Sequence, residues 1–341
     1  MSFGISVLVP VCGLLYQEVA TRLDARRYAA PGRLVDVDGR TVHILCVGTG
    51  SPTVVAEAGN LSFSLQWGWV QAAVASSTRM CSYDRAGYGW SEPAPWPPTA
   101  ARQAEDLFNA LTVAGERGPY VLVGHSYGAY VVRAFARTHA DSVVGVVLVD
   151  PAHPSQHDPK RCDPGCLPAA LLEDLARIHR LVQLLARFGV LRVLRSGPLD
   201  LFSLVNGLPS HLQPAIVAAL STTRHWTTGA SEFRHYDESA ADARALRSLG
   251  GKPLAVVVAS STWAEQKDGY RLPAGVDGRA LDDMLLMLSR DQATLSTDSD
   301  LRVVEGATHV SLVTHRHHAA QVSDAIRHVV EKVRSQSAAP Q

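Results

Sequence analysis

A mostly parallel, doubly wound α/β sheet is the fold class predicted by this 341-residue sequence. Three features point to it. Short β-branched runs recur, each closed by a turn and followed by a helical pattern, as in parallel strands joined by crossover helices. We read strands at "RTVHILCVG", "PTVVAEAG", "MCSYDRA", "YVLVGHS", "VVGVVLVD", "PLAVVVAS" and "LRVVEGA". Between them, "TAARQAEDLFNALTVAG" and "YGAYVVRAFARTHA" place apolar residues three and four apart, the spacing of helices that cover a sheet. Residues 151–250 break the alternation and read as a helical insertion. In open sheets of this kind chemistry collects beyond the carboxyl ends of the strands.

The elements follow in chain order. Residues 1–30 form an apolar N-terminal helical segment, uncharged from Ser2 to Gln17. It falls short of the roughly 20 apolar residues a spanning helix needs, and it contains Pro10. No basic residue precedes the apolar run, as a secretory signal would require, whereas Arg22, Arg26 and Arg27 follow it. An inserted segment of this polarity keeps the rest of the chain on the cytoplasmic side. A helix packed on the domain and a membrane-edge anchor both remain open. The location expected is therefore the cytoplasm or the cytoplasmic face of a membrane, with secretion left open.

Residues 31–150 and 251–341 are expected to build the core, and 151–250 a cap over its working edge. Within the insertion, "LLEDLARIHRLVQLLARFGVLRVL" sets Leu171, Leu175, Ile178, Val182 and Leu185 on one face. Arg177, Arg180 and Arg187 lie off that face, so the leucine and isoleucine side is expected to point inward. Such a basic amphipathic helix can also lie on a membrane. The tail "RSQSAAPQ" is expected to fray.

Composition narrows the function. Lys plus Arg equals Asp plus Glu at 32 each, so no net field draws the chain to nucleic acid. The five cysteines show no paired CxxC spacing, and buried free thiols are expected. Only "CDPGC", Cys162 to Cys166, offers a local pair, which would be structural.

Chemistry appears at "GHSYG". A strand that turns sharply into a helix through G-x-S-x-G exposes the central hydroxyl at the apex of a strained bend. Here the motif follows Tyr120 to Val123 and opens an amphipathic helix. Ser126 is therefore the candidate nucleophile, and side chains at Gly124 or Gly128 would collide with the adjoining elements.

From about Gly32 to the last helix the sequence resembles the α/β-hydrolase superfamily, in its serine-nucleophile branch with a helical cap inserted after strand six. The resemblance rests on "GHSYG", "CSYDRAGYGWSEP", "VVLVDPAHP" and "EGATHVSLV" in this order. It implies an α/β-hydrolase fold and a cofactor-independent Ser-His-Asp triad with no metal. A serine hydroxyl needs a base, usually histidine held in the right tautomer by a carboxylate. His309, on the small-residue loop after the last strand, occupies the family's base position. His125 reads as a packing residue of the elbow, and His315, His317 and His318 as a solvated helix start.

The acid is less direct. The slot after strand seven, used by many relatives, is empty, with Glu265 and Asp268 arriving late as alternative acids. Asp150 ends strand six, where a minority of the superfamily carries its acid. The resemblance also implies oxyanion donors in the amides of Tyr127 and Asn60, although Ala58-Gly59 replaces the usual His-Gly. Asp84 and Arg85 read as structural, and Glu57 as a buried carboxylate with a structural partner. Phe63, Trp67 and Trp69 read as pocket wall or plain core.

The function expected is hydrolysis of a carboxylester, lactone or thioester of a small to medium hydrophobic acyl substrate. Nucleic acid is not an expected partner, and membrane contact through the N-terminus is open. Peptidase, C–C hydrolase or lyase chemistry on the same triad is the alternative, as is a ligand sensor with slow turnover. A haloalkane dehalogenase or epoxide hydrolase requires a carboxylate at position 126.

Overall fold

The computed structural model describes residues 2–157, 169–194, 205–265, 272 and 275–338. Cys162, Cys166 and Asp268 lie outside them. Eight strands form one sheet in the order β1-β2-β4-β3-β5-β6-β7-β8. They are β1 (Arg33–Val37), β2 (Arg40–Val47), β3 (Thr53–Glu57), β4 (Met80–Tyr83), β5 (Tyr120–His125), β6 (Val143–Val149), β7 (Leu254–Ala259) and β8 (Ser299–Val304). Only β2 runs against the others, being antiparallel to both β1 and β4.

The helices are α1 (Ser2–Arg27), α2 (Gly68–Val74), α3 (Ala100–Val113), α4 (Gly128–Thr138), α5 (Ala169–Arg187), α6 (Val190–Leu194) and α7 (Gln213–Leu220). The chain continues through α8 (Thr223–Arg234), α9 (Tyr236–Arg244), α10 (Thr262–Glu265), α11 (Gly278–Ala293), α12 (Ser311–Thr314) and α13 (Arg316–Ala338).

Period-two alternation builds a core on each face of the sheet. Tyr120 and Leu122 of β5 and Val146 and Leu148 of β6 point to the side of α3 and α4. Val121, Val123, Val147 and Val149 point to the side of α2 and α13. Because the central strands are covered on both faces they read as continuous apolar runs.

β1 was absent from the strands expected from sequence. It is an edge strand with an exposed Arg33, Leu34 and Asp36, so no continuous apolar run marks it. It pairs with β2 through a two-residue turn in which Asp38 and Gly39 have φ of 53° and 75°. Asp-Gly is the residue pair such a left-handed hairpin turn selects.

The expectation that the cysteines are free is overturned at one pair. The antiparallel register of β2 and β4 puts Cys46 directly opposite Cys81, and the two are disulfide-bonded. Cys12 is free and exposed.

Helices α5 to α9 lie between β6 and β7. A separate apolar cluster containing Phe63, Tyr88, Leu208 and Ile216 joins this stretch to the strand ends. α9 ends the stretch against α3 and α4. The inward face expected for α5 is shifted: Ile178 is exposed, whereas His179 and Ala186 are buried and Val182 and Leu185 partly so. Leu171 and Leu175 lie in the portion of α5 whose side chains are not described. α1 packs on α5 and α7.

Candidate active site

Strand register gathers the candidate residues at one edge of the sheet. Gly124 of β5 pairs with Glu57 of β3, and His125 pairs with Val149 of β6. The next residues along each strand, Ser126, Ala58 to Asn60, and Asp150, therefore emerge side by side. Ser126 has φ 55°, a left-handed conformation that costs a non-glycine residue and persists only when its surroundings fix it. Its amide is held by Val149 O at 3.1 Å. Glycines on both sides permit the bend. A Cβ on Gly124 would lie 2.8 Å from Gly128 O, and one on Gly128 would lie 2.5 Å from Glu57 O.

His309 stands on the loop between β8 and α12, and its Nδ1 donates to Asp150 Oδ2 at 2.6 Å. That bond leaves Nε2 as the ring nitrogen for proton transfer. The second carboxylate oxygen of Asp150 accepts from the Ala259 amide at 3.0 Å, so both oxygens are fixed. Ser126 and His309 line the same cavity. Glu265, the alternative acid, is exposed at the end of α10, while the Asp150 carboxylate already occupies His309 Nδ1.

The amides nominated for the oxyanion flank the serine. Gly59 runs so close to the elbow that an added Cβ would lie 3.2 Å from Ser126 Cβ. Asn60 and Tyr127 both line the cavity, and neither amide is engaged by a protein acceptor among the described residues.

The alpha/beta hydrolase family matches residues 23–325 of the chain, which includes every residue just described. The chain belongs to the alpha/beta hydrolase family. Its mostly parallel eight-stranded sheet is thus that of an alpha/beta hydrolase scaffold. It is 35% identical over 105 residues to the YqjL protein of Bacillus subtilis, a stretch covering 31% of this chain and 42% of that one. The chain spans less than half the length of the first curated relatives it matches. Among solved structures it resembles a thermophilic esterase from Thermogutta terrifontis (19% identity, TM-score 0.56, covering 88% of this chain and 97% of that). It also resembles the Cif epoxide hydrolase of Acinetobacter nosocomialis (13% identity, TM-score 0.66, covering 93% and 96%). At such identities these likenesses speak for the fold.

Two supports of this α/β hydrolase's site were not nominated from sequence. The first is Glu232, on α8, buried against the strand ends. It accepts from Arg85 Nε at 2.7 Å, Gln103 Nε2 at 2.7 Å, Tyr88 Oη at 2.9 Å and Asn60 Nδ2 at 2.7 Å. Arg85 extends the network by donating to Glu57 at 2.5 Å, to Ala58 O at 2.6 Å and to Gly59 O at 2.8 Å. One guanidinium and one carboxylate thereby hold both sides of the Ala58–Asn60 loop. Glu57 is pushed up to about 7 by its burial, against the pull of Arg85. A proton on Glu57 balances two carboxylates around a single cation. No sequence pattern announces Glu232, whose partners lie 129 to 172 residues away.

The second support is His125, the residue read as elbow packing. Its Nδ1 accepts from Gln66 Nε2 at 2.7 Å, so its Nε2 carries the proton and donates to His309 O at 3.0 Å. Burial, reinforced by the neighbouring His309, pushes its pKa down to about 3. An imidazole neutral well below neutral pH thus tethers the loop that carries His309, while the Thr262 hydroxyl accepts from the His309 amide at 2.8 Å.

The cavity holds about 340 Å³ and reaches from Ser126 to α5, α7 and α8. Phe63, Leu208, Ile216, Trp226, Phe233 and Val313 give it apolar walls. Trp67 and Trp69 are not among its lining residues; Trp67 is fully buried, edge-on to His125. His157 and His179 sit in the wall, each with a buried Nδ1 that has no hydrogen-bond partner among the described residues.

Proposed function

We propose that this α/β hydrolase is a serine esterase, cleaving a carboxylester or a related lactone or thioester through an acyl-enzyme. Ser126 attacks the acyl carbonyl, His309 Nε2 takes its proton and returns it to the leaving alcohol, and Asp150 holds His309 in the required tautomer. The amides of Tyr127 and Asn60 receive the developing oxyanion. Water, deprotonated by His309, then releases the acid. The observation that carries the proposal is the 2.6 Å bond from His309 Nδ1 to Asp150 beside a serine at φ 55°.

The walls suit a hydrophobic acyl or alcohol group of small to medium size, since about 340 Å³ sits at the lower end of ligand pockets. His157 and His179 offer ring nitrogens to a polar atom farther along the substrate. A carboxylate nucleophile, which epoxide opening requires, is lacking at position 126. The esterase neighbour agrees with this chemistry without deciding it.

A fluorophosphonate probe tests the proposal directly. The wild-type chain should be labelled at Ser126, and Ser126→Ala should lose both labelling and turnover of a chromogenic short-chain ester. Loss of the nucleophile costs on the order of a million-fold in rate. An unlabelled wild type, or a Ser126→Ala variant that still turns over the ester, would remove the serine from the mechanism.

A further inference from the structure

The first helix has its polarity reversed. On the side of α1 that meets the protein, Gln17 is buried, accepting from Arg192 Nε at 2.9 Å and donating to Ser221 O at 2.9 Å. One turn on, Thr21 accepts from Arg192 at 3.1 Å, and Asp24 pairs with the same guanidinium. The opposite side carries Val11, Leu15, Val19 and Leu23, four residues apart and 45%, 62%, 55% and 57% exposed. A helix on a water-facing surface does the reverse, turning its apolar stripe to the core and its polar residues outward. Outward apolar residues in an unbroken row mark a surface that meets another apolar phase.

The row does not stand alone. α1 crosses the C-terminal end of α5 at close range, where a Cβ on Gly13 would lie 2.7 Å from Phe188 O. α5 exposes Ile178, Leu181 and Leu184 at 52–54%, although its other side lines the catalytic cavity through His179. Two abutting helices thus present apolar residues outward. The charges among them are basic. Glu18 is spent on Arg22 at 2.8 Å and Asp24 on Arg192, leaving Arg26 and Arg27 without an acidic partner among the described residues. Arg180 and Arg187 are exposed on α5.

We propose that α1 and the exposed side of α5 form a docking face for an anionic lipid bilayer. Leu15, Val19 and Leu23 enter the boundary between headgroups and acyl chains, and Arg26 and Arg27 meet the headgroup phosphates. No helix among the described residues is long and apolar enough to cross a membrane. A helix lying in the interface needs only one apolar side. A second copy of the chain is a poorer occupant, because a two-fold pairing sets each patch against itself and brings like charges together. The proposal stands apart from the esterase chemistry and is tested without turnover.

The test is flotation of the full-length chain with phosphatidylcholine vesicles, with and without phosphatidylglycerol. The wild type should float with the phosphatidylglycerol vesicles, less so as salt rises. Leu15→Glu with Val19→Glu should cut the bound fraction by at least about ten-fold, since each change removes buried apolar area and adds a like charge. Arg26→Gln with Arg27→Gln should weaken binding only where phosphatidylglycerol is present. Circular dichroism and unfolding midpoints matching the wild type keep misfolding out of the result, as all four side chains are exposed. Absence of wild-type flotation, or equal flotation of the glutamate variant, overturns the proposal. So does a lipid-free dimer of the wild type that the glutamate variant lacks, which would assign the face to a second copy.

Discussion

At the scale of single residues, the proposed chemistry depends on three side chains brought together from the ends of β5, β6 and β8. Asp150 contributes its negative charge, and its geometry is independently fixed by the Ala259 amide. Asp150→Asn should therefore leave the loop in place but present an amide to His309 Nδ1, favouring the wrong tautomer. Loss of about 10⁴ in kcat is the expected outcome, with little change in KM. Glu265→Gln should stay within a few-fold of wild type; a crippled Glu265→Gln with an active Asp150→Asn would reverse the assignment. These residues were legible because each sits in a local pattern: a glycine-boxed serine, an acid ending an apolar strand, a histidine after the last strand. The role of His125 was not legible. Sequence placed it beside the nucleophile, but its bond to His309 O spans 184 residues and exists only once β5 and β8 share a sheet.

Helices and strands were legible in proportion to how strongly one face differs from the other. The central strands announced themselves, whereas β1 did not, because three of its five residues are exposed. α5 misled by one position. Leu181 and Leu184 widen its apolar arc on one side, so the centre of that arc is not the side that meets the protein, and the His179 ring fills the space against Trp226 and Phe233 instead. The element that joins the stretch between β6 and β7 to the Ala58–Asn60 loop is α8, through Glu232. Removing its charge leaves Arg85 buried with one carboxylate fewer and releases Asn60. We expect Glu232→Gln to lower kcat on the order of 100-fold, the cost of misplacing an oxyanion donor, with a smaller change in KM for a short ester. Asn60→Ala keeps the amide and loses the side chain's links to α8, the short one to Glu232 and a longer one to Gly229 O, so the double variant should be little worse than Glu232→Gln alone. Steady-state kinetics of the three variants checks this, and strictly additive losses would mean that the two residues act separately.

At the scale of the whole molecule, long-range pairings govern what sequence could not supply. Cys46 and Cys81 meet through the register of strands 35 residues apart, and no spacing rule points to them. The same close packing buries histidines that cannot easily charge, and this sets how the fold responds to acid. Burial pushes His125 and His225 down to about 3 and His179 to about 4. Above about pH 6.5 these rings are neutral folded or unfolded. As pH falls below that value the unfolded chain binds protons that the folded chain refuses, so stability is lost. Glu57 acts in the opposite direction. Raised to about 7, it favours the folded state fully below pH 4.5 and loses that contribution as pH climbs through 7. At pH 5 each histidine costs about 2 kcal/mol and Glu57 returns about 2, a loss on the order of 4 kcal/mol from neutrality contributed by these four groups. That is a large share of the 5–15 kcal/mol typical of a folded chain. Urea unfolding followed at pH 7.5, 6 and 5 should show the midpoint falling throughout. His179→Phe should flatten the fall by about half, because it removes about 2 of the roughly 4 kcal/mol, and the aromatic neighbours on both sides of His179 accept a phenyl ring. A midpoint that holds constant to pH 5 would mean that these rings charge freely inside the fold, and that the packing around them is looser than their burial implies.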